Sequence, residues 1–155
     1  MLDMWHYTGD RKYYDYVAEW ADTLINDKGE IHLYEMADYN LDFINSGKVL
    51  FDVYDETGDP KYKKAMDVLV RQLARQPRTH EGAFWHKLIY PYQIWLDGLY
   101  MASPFLARYG ATFDKPELID DAVKQFLICA RRTFDNRTGL YFLSLIHISE
   151  PTRLD

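Results

Sequence analysis

Thr8-Gly9-Asp10-Arg11-Lys12-Tyr13 returns 49 residues later as Thr57-Gly58-Asp59-Pro60-Lys61-Tyr62. The apolar residues that follow keep the same offset: Tyr13, Val17, Trp20 and Leu24 are matched by Tyr62, Met66, Leu69 and Leu73. Such spacing places each series on one stripe of a helix. The Asp after each glycine is a natural N-cap, and Pro60 suits a first helical position, so each copy reads as a helix entered through a tight turn. A helix also precedes each turn, over residues 2–7 and 41–56. A third, weaker copy has a helix over 92–109, a turn at Gly110 and a second helix over 116–134.

After each second helix comes a glycine and a short extended stretch, at Gly29-Glu30-Ile31-His32-Leu33, Gly82-Ala83-Phe84-Trp85-His86 and Gly139-Leu140-Tyr141-Phe142. The unit is therefore helix, turn, helix and a loop with a short strand. Stacked helical hairpins form either an open solenoid or a closed ring, and six such units would need roughly 300 to 340 residues. The helix carrying Trp95, Leu96, Leu99, Tyr100, Met101, Ala102, Phe105, Leu106 and Ala107 is apolar nearly all round. It is expected to be buried on both sides, which favours a ring with inner and outer helices.

The 155 residues suffice for one globular domain, with 48% hydrophobic and 16% aromatic residues to fill a core. Eighteen basic against 24 acidic residues give a net charge of −6, which argues against a nucleic-acid partner because phosphate binding needs a basic footprint. No run approaches the length of a membrane span, and the start resembles no signal peptide. The single Cys129 excludes an intrachain disulfide framework and reads as a small buried hydrophobe. His80 and His86 lack partner ligands at zinc spacing, and neither a Gly-rich phosphate loop nor a Gly-x-Ser-x-Gly elbow occurs. No metal site is expected.

Two carboxylates stand out. Asp97 is a charge in the most apolar helix, where it must be paired, open to a cavity or held neutral. Asp42 opens the corresponding helix one unit earlier, so the repeat places both carboxylates at the same end of neighbouring helices. Helix capping is the alternative use for either residue. The segment leading into Asp97 gathers Trp85, His86, Lys87, Tyr90, Tyr92, Gln93 and Trp95. An aromatic platform, a cation and a positioned proton donor are the parts of a sugar-acid site, although the same composition also serves as aromatic core.

Gly82-Ala83-Phe84-Trp85-His86-Lys87, Tyr90-Pro91-Tyr92-Gln93-Ile94-Trp95-Leu96-Asp97-Gly98-Leu99-Tyr100-Met101 and Leu41-Asp42-Phe43-Ile44-Asn45-Ser46-Gly47 closely resemble the unsaturated rhamnogalacturonyl hydrolases of glycoside hydrolase family 105. The resemblance covers nearly all of residues 1–142 and implies an all-α fold, a partial (α/α)6 toroid with about three of six helical hairpins and short strands in the loops. It implies hydration of the 4,5 double bond of an unsaturated galacturonyl residue at the non-reducing end of a pectin-derived oligosaccharide. Asp97 then protonates C4 and takes a proton from the water that adds at C5. Asp42 matches the second active-site carboxylate, and His86, Lys87 and Met101 match positions lining the sugar, with Trp85 and Trp95 as flanking ring faces. Neither metal nor organic cofactor is implied, the partner is the oligosaccharide alone, a cytoplasmic location is expected, and oligomeric state is left open. Competing readings are an unsaturated glucuronyl hydrolase acting on glycosaminoglycan or ulvan fragments and a noncatalytic helical-repeat protein that binds glycans.

Leu143-Ser144-Leu145-Ile146-His147-Ile148-Ser149-Glu150-Pro151-Thr152-Arg153 matches the translation of a transposon-based sequencing adapter. Residues 143–155 are accordingly expected to be adapter translation that packs poorly, with native sequence ending near Phe142 and a first helix begun before Met1. On this reading residues 1–142 are the N-terminal half of an (α/α)6 domain, and the chain by itself is inactive.

Overall fold

The computed structural model describes residues 1–145. Its helices are α1 (Leu2–Thr8), α2 (Lys12–Leu24), α3 (Asp42–Gly47), α4 (Leu50–Thr57), α5 (Pro60–Arg75), α6 (Leu96–Thr112) and α7 (Pro116–Thr133). The strands have two residues each: β1 (Ile94–Trp95), β2 (Phe134–Asp135), β3 (Leu140–Tyr141) and β4 (Ser144–Leu145). None of the described helices is long and apolar enough to cross a membrane. The chain divides into one unit of residues 1–34 and 46–71 and a second of 35–45 and 72 onward.

In the first unit the repeat is realised as the glycines require. Gly9 and Gly58 adopt φ of 69° and 64° at the ends of α1 and α4, a left-handed turn that a Cβ would oppose. The Oδ1 atoms of Asp10 and Asp59 accept the backbone N–H of Lys12 and Lys61 at 3.1 and 2.9 Å, and Pro60 opens α5. The α5 stripe Tyr62, Met66 and Leu69 is buried as its spacing predicts. In α2 the buried stripe is Tyr14, Val17 and Ala21, continued by Ile25 just past the helix, one step round from the series matched by sequence identity, and Trp20 stays 38% exposed. Tyr62 donates its hydroxyl proton to Asp22, which also holds Lys61 at 2.8 Å.

The helix expected over 41–56 is interrupted. Lys48 and Val49 form a turn between α3 and α4, and the Val49 N–H reaches back to Ser46 O at 3.4 Å, three residues instead of four. Ser46 and Gly47 are weak helix formers at that point.

In the second unit α6 and α7 pack as a hairpin. The turn between them is not at Gly110, which lies inside α6. There a Cβ would stand 2.7 Å from Lys115 O and 2.8 Å from Ile119, so this glycine admits a close approach. The left-handed turn residue is Asp114, with φ of 52°, one of the few non-glycine types that tolerate it. Nor does a helix begin at 92: Ile94 and Trp95 are extended, and α6 starts at Leu96. Phe105, Leu106 and Ala102 are buried while Tyr100 is 64% exposed, so α6 keeps an open side that the all-round apolar reading did not foresee. Cys129 is buried beside Ile128, Ile94 and Ala83.

Each second helix leads into a short antiparallel closure: Ile25 with Ile31, Arg78 with Phe84, and β2 with β3. The second of these is fixed to α7. Arg78 forms a two-pronged pair with Asp121, at 2.8 and 2.6 Å, and Gln125 accepts the Phe84 N–H at 2.9 Å while donating to Gly82 O at 3.0 Å. This anchorage holds the segment that continues into Trp85, His86 and Lys87. Contrary to the expectation of a poorly packed tail, Ser144–Leu145 pairs antiparallel with Ile94–Trp95, and the Leu96 N–H donates to Leu143 O at 2.9 Å. The rest of the tail, 146–155, lies outside the described residues.

Candidate active site

A 3-10 turn at Met36–Asp38 brings the chain to Tyr39 and Asn40, whose Oδ1 accepts the Asp42 N–H at 2.9 Å. That cap opens α3 and leaves the Asp42 carboxylate 41% exposed. The segment 86–88 runs alongside: Leu41 N–H donates to His86 O at 3.0 Å, and Leu88 N–H to Asp38 O at 3.2 Å. Lys87 Nζ thereby stands 2.5 Å from Asp42 Oδ2, and His86 Nε2 3.3 Å from Oδ1. That Asp42 engages the cation expected for a sugar acid was not legible in the sequence. An ammonium has three N–H bonds, and Asp42 is the one carboxylate that pairs with Lys87 among the described residues.

His86 is only 2% exposed and its ring lies parallel to that of Trp95, centroids 4.4 Å apart and planes 3° from parallel. Burial pushes its pKa down, against the opposing pull of the Asp97 and Asp42 charges. The imidazole is neutral near pH 7, and the tautomer that pairs with Asp42 carries its proton on Nε2. Nδ1 then has no partner among the described residues and rests against Gly98, where a Cβ would be 2.8 Å away. The family resemblance matched His86 to a position lining the sugar; in the structure its ring is enclosed between Trp95 and the start of α6, with Nε2 on Asp42.

Asp97 occupies the first turn of α6, half-buried, and its Oδ1 accepts the Gly98 N–H at 3.0 Å. It forms no ion pair among the described residues. The two carboxylates therefore sit differently: Asp42 is tied to a cation and a histidine, and Asp97 only to a backbone N–H. Both charges pull the His86 pKa upward, against burial.

Met101 lies one turn beyond Asp97 on the same face of α6 and is half-buried. Trp85 packs at 55° against Tyr92, 4.6 Å between centroids, and its buried Nε1 has no partner among the described residues. Trp95 is in β1, not in the helix; Nε1 donates to Gln93 Oε1 at 3.0 Å and its ring lies parallel to Tyr90 as well as His86. Its rings thus stack with neighbours before any sugar arrives. Sequence reasoning missed Asn40, although an Asn two residues ahead of a helix-opening Asp is a readable capping signal. It also missed Gln72 and Gln76, polar residues at helical spacing beside the apolar Leu69 and Leu73, a readable sign of buried polar groups. Among the described residues no three His, Cys, Asp or Glu side chains converge as a metal site would require.

The profile of glycosyl hydrolase family 88 matches residues 1–150. The chain belongs to that family. It is 25% identical over 141 residues to the unsaturated rhamnogalacturonyl hydrolase YesR of Bacillus subtilis (strain 168), covering 87% of this chain and 39% of the relative. Among solved structures it resembles a family 105 glycoside hydrolase of C. acetobutylicum ATCC 824, with 43% identity, a TM-score of 0.89 and coverage of 96% of this chain and 41% of that one. A possible family 105 member from Salmonella enterica shares the fold at 24% identity and a TM-score of 0.77, over 90% of this chain and 36% of that one. The resemblance to family 105 read from the Asp97 and Asp42 motifs is thus shown, and with it the all-α fold class of the (α/α)6 toroid enzymes. The chain spans about two fifths of the length of these relatives.

Proposed function

We propose that this family 88 chain contributes the acid and its supporting carboxylate to an enzyme that hydrates the 4,5 double bond of an unsaturated galacturonyl residue on a pectin-derived oligosaccharide. The observation that carries the reading is the asymmetry of two carboxylates around His86, within a chain similar to YesR. Asp97, held by one N–H and facing no cation, gives its proton to C4 and receives one from the water that adds at C5. Asp42, fixed by Lys87 and His86, orients substrate hydroxyls, while the remaining N–H bonds of Lys87 meet the sugar carboxylate. The hemiketal so formed opens and releases the aglycone.

The test uses a chimera in which these residues replace the matching two fifths of the C. acetobutylicum protein. Ultraviolet absorbance of the conjugated double bond should disappear from an unsaturated galacturonyl-rhamnose disaccharide. Asp97→Asn should slow this by at least about 100-fold, the lower end for general acid-base catalysis, with little effect on affinity. An Asn variant that turns over like its parent removes Asp97 from the chemistry. A parent that clears only an unsaturated glucuronyl substrate keeps the reaction and changes the sugar, and binding without loss of absorbance supports a noncatalytic glycan binder.

A further inference from the structure

We infer that Gln76 is a positioning residue for Asp42, a clamp that fixes the two loops presenting Asp42, His86 and Lys87 to one another. Gln76 is 3% exposed and Gln72, one helical turn earlier, is fully buried. Gln76 Nε2 donates to Tyr39 O at 2.6 Å and to Trp85 O at 2.8 Å. Gln72 Nε2 donates to Asn40 O at 3.0 Å and to Gln76 Oε1 at 3.2 Å. Every N–H of the two amides is therefore in use, and three of the four bonds end on carbonyls of residues directly ahead of Asp42 and His86.

A second feature shows what the clamp opposes. Tyr39 is left-handed, with φ 43° and ψ 46°, a conformation that crowds the Cβ of a non-glycine residue against its own backbone. Such a residue persists only where its surroundings over-determine it. Here the Tyr39 carbonyl takes the shorter of the two Gln76 bonds, and the kink turns the chain from Met36–Asp38 toward α3. Without the two donors, the half-buried Tyr39 and Trp85 would lose the amide that ties their carbonyls together, and the kink would relax. Asp42 would then leave His86 Nε2 and Lys87.

The catalytic consequence rests on the function proposed above, but the test needs no substrate, so the two can fail separately. Gln76→Leu keeps the volume and removes both donors. In the wild-type chain the His86 Nε2–H, shielded and facing Asp42, should be visible by NMR; in Gln76→Leu it should exchange with solvent at least about tenfold faster. Adding Tyr39→Gly, which removes the left-handed cost, should restore most of that protection. A merely packing role for Gln76 would not respond to a change at Tyr39. Wild-type protection of His86 in Gln76→Leu, or a folded double variant with no recovery, overturns the inference. If Gln76→Leu does not fold, the wild type decides: both Gln76 side-chain amide protons should exchange at least about 100-fold slower than an exposed glutamine amide, and free exchange overturns the clamp.

Discussion

Gly98 stands where a methyl group would meet His86 Nδ1 at 2.8 Å and Leu41 Cδ1 at 3.1 Å. Alanine at a helical position ordinarily gains about 1 kcal/mol over glycine. Here the added carbon meets a ring already stacked on Trp95, and overpacking of a filled interior costs about 1–3 kcal/mol. The second effect wins: Gly98→Ala should lower thermal stability and shift the His86 ring resonances, and an unchanged or raised melting temperature would show that the ring can move aside. At this scale the sequence singled out Asp97 and Asp42 as candidates, because a charge in an apolar helix and a repeated carboxylate can be read from spacing, while Lys87 came from the family resemblance. It did not reveal that His86 is enclosed, since burial of a histidine depends on residues from α6 and β1 that meet it only after folding.

The strands before and after α6 show what two-residue elements do. β1 is too short to be stable alone, and its partner β4 supplies the pairing immediately before Asp97. Truncation after Phe142 should therefore leave helicity nearly unchanged while the Leu96 amide, which donates to Leu143 O, exchanges faster. Circular dichroism and hydrogen exchange read the two effects. Unaltered exchange at Leu96 would return the tail to the role first expected of it, and a cooperative loss of helix would make it part of the core. The helices themselves were legible where cap, turn and stripe agreed, as in α5. They were misread where a glycine served packing instead of turning, as at Gly110, and where Asp114 took the left-handed turn that glycine takes at Gly9 and Gly58.

At the scale of the whole molecule, His86 and Asp121 each make stability depend on pH. Burial lowers the His86 pKa below its ordinary 6.5 despite Asp97 and Asp42, so below that value the unfolded chain binds a proton that the folded chain refuses. Stability should fall as pH drops from about 6.5 toward the folded pKa and then level off, because the slope follows the excess of protons bound by the unfolded state. Asp121 acts at the acid end: burial raises its pKa, but Arg78 and Gln125 outweigh burial and hold it below 3.8, so its contribution is present above that value and lost as pH falls through the folded pKa. Urea midpoints measured from pH 7 to 5 should slope for the wild type and flatten in His86→Gln. Equal slopes in the two proteins would assign the sensitivity to other groups.

The sequence by itself determined the repeating hairpin, the register that brings Asp42 and Asp97 to equivalent helix starts, and the family resemblance. Each depends on local rules: glycine in left-handed turns, caps at helix starts, and apolar residues at helical spacing. Tertiary structure decided which stripe of α2 is buried, that His86 supports Asp42, that Lys87 is engaged before any substrate arrives, and that Gln72 and Gln76 hold the loops on which these groups stand. Those outcomes follow from contacts between residues far apart in the chain. A hydrogen bond from Gln76 to Tyr39 spans 37 positions, and no local periodicity encodes which carbonyl a buried amide will find.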